Sequence, residues 1–379
     1  MEPENQPPST VASAANHAEP VLTSGPAEPA PAEEPYRGLR WIFIGPQGLR
    51  AGWSVLVFLL LFYPLNIAID MAMFHFHLIG RSDEFAPRPM FFGEAGALLV
   101  LLISAGLVGL IEGRWILAYN LTGPRRTQHL FFGLAAGFLA LSALVGTLAA
   151  GGWLHFGPVA LSGAAIFRFG LLWGCVFLVS ACIEEGMFRC YGLFTLNRGI
   201  NFWWALGSVA LTCAYLAIFV GGNASWGVYA AALLGLVPCY ILHQRAAPRS
   251  GFWCAAWVTS TLFGYIHLGN PNEAWIGIFA AAFIGFVFCV SVRVTGSAWW
   301  AIGCHAGWDW GETYFYGTAD SGLTPQGCYL TSTPSGNPLW SGGAVGPEGS
   351  LMVLGAILLL LALVLVYGRW SARAAPAAA

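Results

Sequence analysis

The stretch from Gly52 to His75, GWSVLVFLLLFYPLNIAIDMAMFH, decides the class of fold. It holds a single carboxylate, Asp70, and no lysine or arginine, over a length that crosses a ~30 Å hydrocarbon core as α-helix. Nine further runs of the same kind follow, at about 92–111, 130–152, 166–189, 202–220, 226–243, 251–268, 273–292, 297–315 and 350–368. A helix is the form in which one strand of chain satisfies its own backbone groups in lipid. The sequence therefore predicts an all-α fold, a polytopic transmembrane helical bundle of about 8 to 10 membrane helices.

The composition agrees. Of 379 residues 57% are hydrophobic and 9% charged, where a soluble domain carries about a quarter charged. Six of the 18 acids lie in residues 1–36, a Pro/Ala-rich stretch read as a disordered acidic cytoplasmic tail. The remainder holds 16 arginines, no lysine and 12 acids. So small and dispersed an excess excludes a nucleic-acid partner and leaves membrane lipids as the surroundings. Nine cysteines without a CxxC pair read as small buried hydrophobes, and no cleavable secretory signal is visible.

Arginines test the helix map, because cytoplasmic loops hold the positive charge. With the tail inside, twelve arginines fall inside, and Arg81, Arg88 and Arg168 fall outside. This predicts ten crossings with both termini cytoplasmic, and places the polar Gly/Pro/Ser/Thr loop 316–349 outside. The loop is either a solvated connector or a cover over a cavity.

A charge near the bilayer centre costs about 2.5 to 3.5 kcal/mol on insertion scales, so each one inside an apolar run needs a reason. Three clusters stand out. Glu184-Glu185-Gly186-Met187-Phe188-Arg189 puts Glu185 and Arg189 one helical turn apart, able to pair, while Glu184 points elsewhere. Phe263 precedes His267 by four residues, and His305 precedes Asp309 by four, with Glu312 at the next turn of that face. Singly, each could be an interfacial or hydrogen-bonded group. Jointly they supply the acids and imidazoles that activate water and stabilise developing negative charge.

In that order and spacing, Glu-Glu-x-x-x-Arg, Phe-x-x-x-His and His-x-x-x-Asp resemble the CPBP family of intramembrane proteases, which includes the type II CAAX prenyl endopeptidases and the bacterial Abi proteins. The loop segments Gly336–Trp340 and Gly346–Ser350 also resemble bacterial members, so that the resemblance covers about residues 170–350. It implies a hydrolase in which Glu184 and His267 activate a water for attack on a peptide carbonyl. His305 and its partner Asp309 would steady the oxyanion, and Glu185, Arg189 and Phe263 would support the site. Asp309 stands where the prenyl endopeptidases have Asn. An ionised carboxylate donates no hydrogen bond, so Asp309 is either protonated, orients His305, or helps hold a metal. Glu184, His267, His305 and Asp309 are an N/O set acceptable to zinc; the resemblance ranks the metal-free mechanism above it. Motifs of other intramembrane proteases, such as His-Glu-x-x-His, are missing.

The expected organisation is a tail at 1–36, N-terminal transmembrane helices at 37–160, and a catalytic bundle at 161–379 with the outer loop 316–349. The expected substrate is a peptide or membrane-associated protein entering from the membrane or cytoplasmic side. The expected role is protein or peptide maturation or bacteriocin immunity, in a bacterial inner membrane. The contrasting class is a non-catalytic binding protein or proton-coupled transporter that uses the same buried groups.

Overall fold

The computed structural model describes residues 39–79, 85–220 and 226–373; the expected acidic tail and Arg81 lie outside the described residues. All ten apolar runs are helical. We number them α1 (Ala51–His75), α2 (Pro87–Glu112), α3 (Arg126–Ala150), α4 (Ala164–Glu185), α5 (Phe202–Tyr215), α6 (Trp226–Leu234), α7 (Val237–Gln244), α8 (Ser250–Ile266), α9 (Trp275–Thr295), α10 (Trp299–Asp309) and α11 (Val353–Arg373). Runs and helices differ in one place. The run at 226–243 is two short helices, because Pro238 at the start of α7 cannot donate to the turn before it.

Seven helical segments among the described residues are long and apolar enough to cross a membrane, and Phe202–Ile218 is a shorter apolar one. The protein is an integral membrane helical bundle. α1 sits at its edge, with 11% of its apolar window buried against 61% for α9. Leu60, Ile67, Leu110, Phe167, Leu211 and Leu358 are exposed outward, as lipid-facing side chains are. α8, which ends just before His267, and α10, which carries His305, are lined with buried residues and form the interior.

The two ends of the bundle differ. At one, Arg198 grips both oxygens of Glu112 at 2.8 Å, Arg114 adds a contact at 3.2 Å, and Ser54 donates to the same carboxylate. Glu112 is thus a structural anchor. Arg125 donates to the Ser371 carbonyl at this end, and Arg50 to the carbonyl of Trp41. The opposite end is closed by a short antiparallel sheet, β1 (Leu154–Val159) on β2 (Leu330–Pro334), which ties the loop after α3 to the loop after α10. Those loops share an end only if an even number of crossings separates them, as the six runs between them require. The arginine-rich end and the loop end are therefore opposite.

α3 and α10 make the closest approach in the core. A Cβ on Gly133 would collide with the Trp300 carbonyl, and one on Gly137 with that of Cys304; Gly303 and Gly307 meet Leu130 and Leu134 in the same way. Four glycines let the two backbones touch, as small residues do at membrane helix interfaces. His305 lies between Gly303 and Gly307, so this contact sets its depth and direction.

Candidate active site

α4 and α10 both change winding at the site. After Glu185 the helix continues as a π-segment over Gly186–Gly192, and after Asp309 as another over Trp310–Tyr316. Such segments shift the faces of a helix and recur at functional sites.

Glu185 and Arg189 are fully buried and paired, Nε to Oε2 at 3.2 Å. Three aromatic rings surround the guanidinium, with Phe263 at 4.1 Å, Phe288 at 5.4 Å and Phe188 at 5.7 Å from its carbon. Gly285 of α9 leaves the space, since a Cβ there would strike Arg189 Nη2. The other face of the Glu185 carboxylate takes His305, Oε1 to Nδ1 at 2.9 Å. On the far side of that ring, Nε2 lies 3.3 Å from Asp309 Oδ2 and 3.9 Å from Glu184 Oε2. Both ring nitrogens of His305 thus face carboxylates.

His267 starts the 3-10 turn that ends α8, with Nδ1 2.8 Å from the Phe263 carbonyl. A carbonyl only accepts, so Nδ1 carries the proton and Nε2 is left for a ligand. Phe263 meets this imidazole edge-on at 5.0 Å, as its spacing suggests, and meets His305 at 6.1 Å. It touches both histidines and the arginine.

Glu184, His267, His305 and Asp309 line one cavity of about 260 Å³. Glu94 of α2, Asp320, Ser321, Leu323 and Glu348 of the loop 316–349, and Val353 and Ile357 of α11 line it as well. The end of α8, the end of α10, the starts of α2 and α11 and the loop itself line it from the loop end, while Glu184 of α4 and Phe288 of α9 reach it from the other halves of their helices. Of the two readings of the loop, the structure supports a cover.

Two parts of the sequence reading change. Glu312, placed by α-helical spacing on the His305 face, is not among the cavity-lining residues: the π-winding leaves it buried, with Oε2 accepting from Trp308 Nε1. It joins Asp320 and Glu348 in a group whose oxygens lie within 4.8 Å of one another, the one such cluster among the described residues with the spacing to hold a cation. The reading also missed Glu94, Asp320 and Glu348. Glu94 was visible as an acid inside an apolar run; the two loop acids carried no such signal, since acids are unremarkable in a polar loop.

Burial displaces the titration of these loop acids. The Glu348 carboxyl is pushed up to about 8, first by burial and then by Asp320 and Glu273. Asp320 rises to about 6 by burial, moderated by the hydroxyl of Thr313. Glu348 is held by neutral donors, Trp308 Nε1 at 2.8 Å and Ser321 Oγ at 3.1 Å.

The fold and site define a helical membrane bundle that brings two histidines and several carboxylates into one covered cavity. Residues 239–311 match the family model of the type II CAAX prenyl endopeptidase Rce1-like proteins, a span that contains the Phe263/His267 and His305/Asp309 pairs. Over that span the chain is similar to the CAAX-type intramembrane proteases. Comparison with curated proteins and with solved structures returns no match.

Proposed function

We propose that the protein is an intramembrane endopeptidase in which Glu184 is the general base. The observation that carries this reading is the convergence of Glu184, His267, His305 and Asp309 on one cavity, with Glu184 and Asp309 both facing His305 Nε2. Water held between Glu184 and His267 Nε2 gives its proton to Glu184 and attacks the peptide carbonyl. The oxyanion is met by the proton on His305 Nε2, while Glu185 fixes the ring through Nδ1. Glu184 then passes the proton to the departing amine as the C–N bond breaks. Asp309 lies close enough to His305 to orient the ring, the second of the three roles open to it, and needs no hydrogen of its own for that.

Zinc fits the donor set, since each histidine already uses Nδ1 on an outer oxygen, as metal-bound histidines do. Glu184, His267, His305 and Asp309 would hold it, and it would supply a Lewis acid for the carbonyl and a more acidic water. The metal-free route needs only the groups described, and we place it first.

The arginine-rich end supports a cytoplasmic assignment, with both termini inside and the cavity on the outer half of a bacterial inner membrane. The substrate is then a peptide or membrane-associated protein reaching the cavity laterally from lipid or past the outer loop, in maturation or in self-protection against a bacteriocin. Comparing protein N-termini in cells carrying wild type, Glu184→Gln or His267→Ala tests the activity. Identical N-termini in all three, with each variant inserted and folded, would sink the reading.

A further inference from the structure

Five of the 12 acids outside residues 1–36 line this one cavity: Glu94, Glu184, Asp309, Asp320 and Glu348. Among the described residues no arginine lines it. The Arg189 guanidinium is fully buried, paired with Glu185 and stacked on Phe263. Glu184 and Asp309 are engaged with His305, but Glu94, Asp320 and Glu348 have no part in the water chemistry, and the donors to Asp320 and Glu348 are neutral hydroxyls and an indole. Grouping acids this way in an apolar bundle is costly unless a cation completes the set. The remaining wall is apolar, with Phe177, Ile266, Ala280, Ile284 and Phe288 among its residues.

We propose that the cavity selects a peptide carrying a lysine or arginine beside its scissile bond, the cation held by Glu94, Asp320 and Glu348 and the flanking apolar residues by the opposite wall. A basic residue on an apolar segment is also the form in which a substrate would travel along the outer membrane face before entering past the loop. The inference rests on the endopeptidase reading for the word scissile; the selection itself is a property of binding.

The test separates the two. Full-length Glu184→Gln protein in detergent, with EDTA present, is titrated with fluorescent leucine/alanine peptides that differ only in one central residue: lysine, norleucine or glutamate. The lysine peptide is expected to bind about tenfold tighter than the norleucine one, the size of one partly desolvated charge pair, and the glutamate peptide weakest. Glu94→Gln, Asp320→Asn and Glu348→Gln should each shrink the lysine-to-norleucine ratio, a ratio insensitive to the fraction of protein folded. Equal binding of all three peptides, or no binding of any, overturns the proposal. Calcium binding that is lost on the same substitutions, without a lysine preference, would assign the acids to a divalent cation and overturn it too. Wild-type cleavage is measured separately. Lysine-selective binding without cleavage sinks the protease reading alone, and cleavage without charge preference sinks the selection alone.

Discussion

Glu185 Oε1 lies 2.9 Å from His305 Nδ1 while the same carboxylate pairs with Arg189 at 3.2 Å, so one buried acid joins the ring of α10 to the cation of the π-segment that follows α4. Removing one member of a buried ion pair costs about 3–5 kcal/mol, because the other charge is left without compensation. Glu185→Gln should therefore lower thermal stability strongly and turnover with it. Arg189→Met added to Glu185→Gln should recover much of the stability by removing the orphaned guanidinium, but not the turnover, since His305 keeps no carboxylate at Nδ1. Melting temperature and peptide cleavage of the two variants check this; recovery of both together would refute the division of roles.

Glu184 lines the cavity and keeps 31% of its side chain exposed, so it bears little of the packing. Glu184→Gln should leave the melting temperature within a few degrees and lower turnover by about 10²–10⁴-fold, the usual contribution of a general base. His267→Ala should lower turnover comparably. Single-turnover cleavage of a reporter peptide reads both.

The glycines between α3 and α10 give a structural contrast. Gly307→Ala places a methyl against the Leu134 carbonyl and should lower both stability and activity, because the helix that displaces to accommodate it carries His305. Gly106→Ala on α2 meets nothing within 4 Å and should leave both unchanged or slightly improved, as alanine is the better helix former. Thermal melts of the purified variants decide between these outcomes.

The loop acids give a pH dependence whose sign is fixed. The Glu348 carboxyl keeps its proton up to about 8 in the folded protein and would release it near 4.5 when unfolded; Asp320 behaves similarly up to about 6. The folded state binds more protons between those values, so the loop's stability falls as pH rises from about 4.5 to 8 and levels off above. Hydrogen exchange across residues 316–349 should quicken over that window, after correction for the intrinsic rate. Glu348→Gln should remove the upper part of the effect.

A metal-free mechanism predicts full activity after dialysis against a strong chelator and no stoichiometric zinc by elemental analysis. Activity lost on chelation and restored by zinc would replace the metal-free route with the zinc one.

How much of this was legible in the sequence follows from the reach of each signal. The ten apolar runs depend on local composition, and each became helix, with α6 and α7 divided where Pro238 interrupts hydrogen bonding. The pairing of Glu185 with Arg189 and the contact of Phe263 with His267 were legible for the same reason, as a single helical turn brings each pair together. Glu312 was misplaced because a π-segment changes the residue count per turn, which composition does not reveal. Gly133 and Gly137 stand four residues apart on one helical face, but their partners Gly303 and Gly307 lie far along the chain and meet them only through packing.

The sequence by itself therefore determined a membrane bundle and the residues able to do chemistry, because hydrophobicity and helical period act over a few residues. Only the tertiary structure decided that Glu185 holds His305, that Gly285 makes room for Arg189, and that Glu94, Asp320 and Glu348 face the cavity with Glu184. Those relations join distant parts of the chain, and they are set by which helices can approach closely and which buried charges must find one another.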